Sequence, residues 1–259
     1  MRKAHLCRAV TLAVMGALAT AGFATAAKPT FVRAGNLILT VDGGVTPKRL
    51  PKTKMAPIGL RLAANIRTGD GAQPPAARTV TIDFDKHGTV NAEGMPVCRL
   101  GLIEVRTTAA AKAACRKAIV GGGRTAVRVA FPESIPFADS GPLVVFNGGV
   151  RKRVTTMYIH AYVSVPAPTA LVTVVRVKKI RKGRFGTRAV ARIPTIAGGS
   201  GSLTKFSLGI KRTFKRGGSR QSYLVARCGR GRFFAHGSVA FADGTRLAGN
   251  VVRPCIPRG

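Results

Sequence analysis

Thr79-Val80-Thr81-Ile82-Asp83-Phe84-Asp85 alternates polar and apolar side chains, the two-residue period of a strand with one face buried. Lys86-His87-Gly88 then reads as a turn into Thr89-Val90. Met157 to Val165 alternates again, with Ile159, Ala161, Val163 and Val165 on one face and Tyr158, His160, Tyr162 and Ser164 on the other. Val- and Thr-rich runs recur at 36–42, 58–68, 125–131, 142–146, 169–180, 186–193 and 202–214, and again over 222–228 and 233–252. Inside the last run, Ala242-Asp243-Gly244-Thr245 carries the Asp-Gly signal of a tight hairpin. Short strands set between Gly, Pro, Asn and Asp turns predict an all-β sandwich or barrel, and an antiparallel β-sandwich is the form expected here.

One helix interrupts this pattern. Thr107-Thr108 can cap an Ala-rich run from Ala109 to Ile119, and Gly121-Gly122-Gly123 is expected to stop it as a flexible turn. A short helix near 108–119 is therefore expected beside the strands. Val165-Pro166-Ala167-Pro168 is the best boundary, because prolines end strands and stiffen a link. It divides the chain into an N-terminal β-module, 27–165, and a strongly basic C-terminal one, 166–259. Hydrophobic residues make up 46% of the chain, enough for a packed core.

The first segment reads as an address. Arg2, Lys3 and Arg8 precede an uncharged apolar run from Ala9 to Phe23, which ends in the small-x-small pattern Ala24-Thr25-Ala26. A basic start, a short apolar centre and this ending predict a secretory signal peptide over 1–26. The run is short for an uncleaved membrane anchor. No later segment is long and apolar enough for a transmembrane span, so a secreted protein, free or attached to the cell wall, is expected. The exported chain keeps four cysteines, Cys98, Cys115, Cys228 and Cys255. An even number outside the cytoplasm suggests disulfides, and pairing Cys98 with Cys115 and Cys228 with Cys255 closes the two local loops.

Charge is the strongest functional signal. The chain has 43 Lys+Arg against 9 Asp+Glu, a net charge of +34. Residues 151–259 hold 23 basic side chains and a single acidic one, Asp243. Clusters lie at Arg151-Lys152-Arg153, at Lys178, Lys179, Arg181, Lys182 and Arg184, at Lys211-Arg212 and at Lys215-Arg216. Such clusters concentrate polyanions and bind them with strong salt dependence. An anionic cell-wall polymer or another extracellular polyanion is the expected partner. The plain alternative is that Arg fills solvent-facing strand positions in a composition rich in Ala, Gly, Val and Arg.

Catalytic and cofactor signals are weak. Four His and nine carboxylates are a thin stock for acid–base or metal chemistry, and no cofactor is implied. Asp83 and Asp85 with Gly88 lack the further oxygen ligands of a calcium loop. Gly198-Gly199-Ser200-Gly201-Ser202 has Ser where a nucleophile elbow needs Gly. Gly121-Gly122-Gly123 lacks the Lys-Ser/Thr ending of a phosphate loop. Tyr158, His160 and Tyr162 could stack on a sugar or base, but strand packing is the commoner use.

Several short stretches carry a resemblance. They are Gly35-Asn36-Leu37-Ile38-Leu39-Thr40-Val41-Asp42-Gly43-Gly44, Phe146-Asn147-Gly148-Gly149, Ile159-His160-Ala161-Tyr162-Val163 and Ile196-Ala197-Gly198-Gly199. The tail adds Ser222-Tyr223-Leu224, Ala226-Arg227-Cys228, Asp243-Gly244-Thr245 and Arg253-Pro254-Cys255. Together they resemble a set of uncharacterised secreted proteins of high-GC Gram-positive (actinobacterial) bacteria. The resemblance implies an extracellular address and a β-rich fold, and no activity. The sequence thus points to a secreted, non-catalytic β-protein held at the cell envelope by its cationic surface. The alternatives are a hydrolase using scattered residues such as Asp83, Asp85, His160 or His236, and a self-assembling surface component.

Overall fold

A computed structural model describes residues 28–164 and 167–259; the signal-type segment 1–26 and Val165-Pro166 of the proline link lie outside the described residues. In chain order the first strands are β1 (Thr30–Ala34), β2 (Leu37–Thr46), β3 (Arg49–Pro51), β4 (Ala56–Pro57), β5 (Gly59–Thr68), β6 (Ala77–Asp85) and β7 (Gly88–Val90). Helix α1 (Thr108–Ala114) precedes β8 (Ile119–Val129), β9 (Phe137–Arg151), β10 (Val154–Val163), β11 (Thr169–Lys182) and β12 (Phe185–Arg192). The chain ends with β13 (Gly201–Ile210), β14 (Thr213–Arg216), β15 (Ser219–Ser222), β16 (Leu224–Ala226), β17 (Arg232–Phe241), β18 (Arg246–Pro254) and β19 (Ile256–Arg258). The fold is all-β, antiparallel except for the small parallel β3–β19 pair, with one short α-helix among the described residues.

The long strands form one twelve-stranded sheet in the order β1-β2-β5-β13-β8-β9-β10-β11-β12-β6-β17-β18. Its two outer strands meet: Thr30 Oγ1 of β1 donates to the Asn250 carbonyl of β18 at 3.1 Å. Arg253 of β18 reaches past short β1 to β2, where its Nε donates to the Gly43 carbonyl at 2.6 Å and an Nη donates to Asp42 at 2.7 Å. The sheet therefore curls into a nearly closed barrel, rather than stacking as two layers. Strands from both sides of the proline link share it. β6 sits between β12 and β17, and β13 sits between β5 and β8.

Alternation now has a direction. Val80, Ile82 and Phe84 of β6 point into the barrel, as do Ile159, Ala161 and Val163 of β10. The interior core continues through Leu143, Val145, Met157, Val175, Val177 and Leu208. Outside the wall, the stretch carrying α1 covers β9 and β10, where Cys98, Ile103, Ala111 and Cys115 pack on Val144 and Phe146. Small sheets β4-β16-β7 and β3-β19 lie over one end of the barrel. Cys98 bonds Cys115, and Cys228 bonds Cys255. These loops span 17 and 27 residues. Loop-closure entropy assigns each bridge roughly 3–3.5 kcal/mol.

Two local expectations are corrected. α1 stops at Ala114, capped by Thr107 Oγ1 accepting from the Ala110 amide at 3.3 Å, and residues 116–118 form a single 3₁₀ turn. The bridge from Cys115 to Cys98 and the pairing of Ile119 with Phe146 take the chain out of the helix. Gly121-Gly122-Gly123 is not a turn but the start of β8, paired with Ile210, Gly209 and Leu208 of β13. Glycine there permits close backbone approach at a bend of the wall.

Candidate functional site

Strand register gathers the basic clusters. Val154 at the start of β10 pairs with Arg151 of β9 and Lys178 of β11. Lys182 pairs with Phe185 across the next turn, and Phe185 pairs with Asp85 at the end of β6. Ile210 of β13 pairs with Gly121 and Leu60, so Lys211 and Arg212 leave the barrel at this same end. The β14–β15 hairpin that follows carries Lys215 and Arg216. Arg151, Lys152, Arg153, Lys178, Lys179, Arg181, Lys182, Arg184, Lys211, Arg212, Lys215 and Arg216 are all exposed on this rim. The opposite end carries Asp70, Glu133, Asp139 and Asp243 in or beside its loops. Glu93 offsets one rim cation, lying 3.3 Å from Arg216.

The β9–β10 turn has unusual chemistry. Lys152 and Arg153 have φ of 48° and 62°, the left-handed values of a tight hairpin that ordinarily selects Asn-Gly. For residues with a Cβ this conformation costs about 1–2 kcal/mol each. Two cations are thus held at the apex of a rim turn despite the backbone cost. The sequence carried no sign of this, since Lys-Arg is not a turn signal.

A recess opens beside the rim. Asp85, Lys86, His87, Arg184, Arg230, Arg232 and Phe234 line about 230 Å³. Asp85 Oδ1 accepts from the His87 amide at 2.9 Å and lies 2.7 Å from His87 Nδ1, while Asp85 Oδ2 accepts from the Phe234 amide at 3.3 Å. The Arg184 guanidinium sits 4.4 Å from the centre of the Phe234 ring. Sequence reading missed the Asp85–His87 pair. Its only trace is the Asp-x-His spacing of an Asx turn, in which the aspartate caps the amide two residues on.

The other candidate residues do not form one centre. Asp83 is buried, and Arg188 donates to both its oxygens, at 2.6 and 2.8 Å. The Arg188 hydrogen bonds hold Asp83 below the usual carboxylate range, although burial acts the other way. His236 faces Asp83 across the β6–β17 pair, but its Nδ1 lies 2.9 Å from Asn250 Oδ1. Among the described residues, no group of three His, Cys, Asp or Glu is placed to hold a metal ion.

His160 is fully buried beneath the outer covering, so Tyr158, His160 and Tyr162 do not present an open stacking face. Its Nε2 lies 2.9 Å from the Arg106 carbonyl, whereas Nδ1 has no partner. Burial pushes its pKa below the usual 6.5, and the carbonyl only partly opposes this. Between those values the unfolded chain binds the proton and the folded chain does not. Stability is therefore full above about pH 6.5 and falls as the pH drops below it. His160→Gln keeps an N–H for Arg106 and removes the titration. Comparing Tm at pH 7.5 and 5.5, the drop is expected to be smaller in this variant than in the parent protein. An equal drop in both would refute the assignment.

The barrel also contains a cavity of about 380 Å³ with mostly apolar walls, reached by Asp42, Asp85 and Arg253 at its margin. No helix among the described residues is long and apolar enough to cross a membrane. No protein-family model, curated protein or solved structure matches the chain.

Proposed function

We propose that this chain is a secreted, non-catalytic binding protein that its cationic rim attaches to an anionic cell-wall polymer or another extracellular polyanion. The observation that carries this reading is the convergence of four separate basic clusters on one end of the barrel. Single exposed Arg such as Arg61, Arg67, Arg124, Arg176 and Arg192 do fill solvent-facing positions around the wall, but among the described residues only at this end do the basic side chains stand in clusters on neighbouring turns. The strained Lys152-Arg153 turn supports the same reading, because a neutral Asn-Gly pair would make that hairpin at lower cost. The Arg184, Arg230 and Arg232 recess supplies a concave seat in which one anionic group of the polymer is desolvated more fully than on open surface. Export rests on the leader-like start and on two disulfides, which persist in oxidising compartments. The resemblance to uncharacterised secreted actinobacterial proteins agrees with that address.

Cosedimentation of the oxidised protein with purified cell wall and with defined polyanions across a salt series tests the proposal. Binding is expected at low salt and is expected to weaken log-linearly as salt rises. Replacing Lys178, Lys179 and Lys182 with Gln should reduce the salt slope by up to about one for each lysine that meets an anionic group of the polymer. An unchanged slope, or an absence of binding even at low salt, would remove the rim from consideration.

A further inference from the structure

We infer that the barrel interior is a binding site for a long aliphatic chain, the acyl tail of a free fatty acid or of a membrane lipid. The first ground is volume. Side chains just fill a barrel of about eight strands, whereas sixteen or more leave a channel. Twelve strands lie between these limits, and here the surplus space is about 380 Å³. An apolar hole of about 150 Å³ already stays dry and accepts benzene, and ligand pockets begin near 300 Å³.

The second ground is the choice of lining residues. A sequence selected to close this space would send large side chains inward, because protein interiors are ordinarily packed to crystal density. This chain does send Phe84, Met157 and Phe206 inward, but it also places Ala64, Ala161, Ala189, Ala191, Ala235 and Gly237 on the inner wall among Val, Leu and Ile, and the space they leave stays open. Apolar and unbroken by charge along most of its length, such a wall complements methylene groups. It offers almost nothing to a sugar or a nucleotide.

The third ground is access. The β1–β18 seam has no backbone ladder among the described residues, since each strand pairs on one side only, with β2 and β17 respectively. β1 covers β2 only as far as Val41. Beyond it the seam is held by Arg253, which bridges to Gly43 and Asp42 and also borders the cavity. A chain can pass here without breaking a backbone ladder, needing only the side-chain contacts of Arg253 to open, and the polar groups of Arg253 and Asp42 lie where a lipid head would rest.

The test uses the oxidised protein and cis-parinaric acid, an 18-carbon probe whose emission rises in apolar surroundings. Saturable binding of about one probe per protein is expected, displaced by palmitate and not by hexanoate. Neutral phosphatidylcholine vesicles form a second arm. Extraction of one phospholipid per protein, read by native mass spectrometry, would identify the source as membrane lipid; displacement by palmitate alone would identify free fatty acid. Ala161→Phe with Ala189→Phe fills the cavity and is expected to weaken probe binding at least tenfold. The single Ala189→Leu, a milder change, should give an intermediate loss if the double variant fails to fold. Gln at Lys178, Lys179 and Lys182 should leave probe affinity within about twofold, which separates the cavity from the cationic rim. The inference is overturned if the parent protein shows no saturable binding. It is equally overturned if folded cavity-filled variants bind as the parent does, or if only the Gln variant loses the probe.

Discussion

Replacing Gly123 with alanine is expected to lower the stability by about 3 kcal/mol or more, because the added methyl has no room to stand in. A Cβ built on Gly123 overlaps the Ser207 carbonyl oxygen of β13, and one built on Gly121 overlaps the Gly209 carbonyl oxygen. These are backbone atoms inside a ladder, so relief requires moving β13 away from β8 and stretching the hydrogen bonds of their shared register. Overpacking of a well-filled interior typically costs about 1–3 kcal/mol, and here it acts on main chain that cannot change rotamer. Gly122 provides the internal control. Its nearest neighbour would be the Leu143 carbonyl at 3.1 Å, a contact that a small local shift relieves. Urea unfolding of the two alanine variants checks this. Gly123→Ala should shift the midpoint strongly and Gly122→Ala far less. Equal, small shifts would mean that the barrel wall is not pinched at β8.

The second large effect concerns Arg188. Asp83 is only 2% exposed, and its carboxylate is satisfied by a two-point contact with one guanidinium. Arg188→Met keeps the aliphatic stem but leaves a buried carboxylate without its counter-ion. Breaking a fully buried pair from one side costs roughly 3–5 kcal/mol, and the partial exposure of Arg188 places the loss here near the lower end of that range. Asp83→Asn should cost less, because Arg188 is about one-third exposed and can turn to water. The double variant should recover most of the loss, since neither charge is then stranded. The sign of the pH dependence is fixed by the lowered Asp83 pKa. The stability due to the pair is complete above about pH 4 and is lost as the pH falls through the lower, folded-state value. The gap between parent and Arg188→Met should therefore narrow below pH 4, read as converging urea midpoints. A constant gap down to pH 2 would place the effect in packing instead of charge.

Several features of this protein were legible in the residue order because they arise from local periods. The alternation of 79–85 and 157–163 names strands whichever neighbours they find, and the Asp243-Gly244 hairpin follows from a positive φ at Gly244. The start of α1 was legible for the same reason, since a Thr cap acts within one turn. The end of α1 was not, because it depends on the pairing of Ile119 with Phe146, a strand partner distant in sequence, acting together with the Cys98–Cys115 bridge. The glycines at 121–123 carry the local mark of a turn, and only β13 lying against them makes them strand residues. Of the candidate sites, the basic clusters could be counted in sequence, but not located relative to one another.

Sequence alone thus determined the class, the charge and many of the strand segments, because each depends on composition or on spacing within a few residues. Tertiary structure decided that β6 and β13 cross between the halves of the chain, that the sheet curls until β18 meets β1, and that the cationic turns share one rim. It also decided that the inward set of alternate residues leaves a cavity. These outcomes depend on contacts between residues as far as 220 positions apart, such as Thr30 with Asn250. A period of two says which residues share a face, but it cannot say whether that face looks onto a second sheet or onto the far wall of its own.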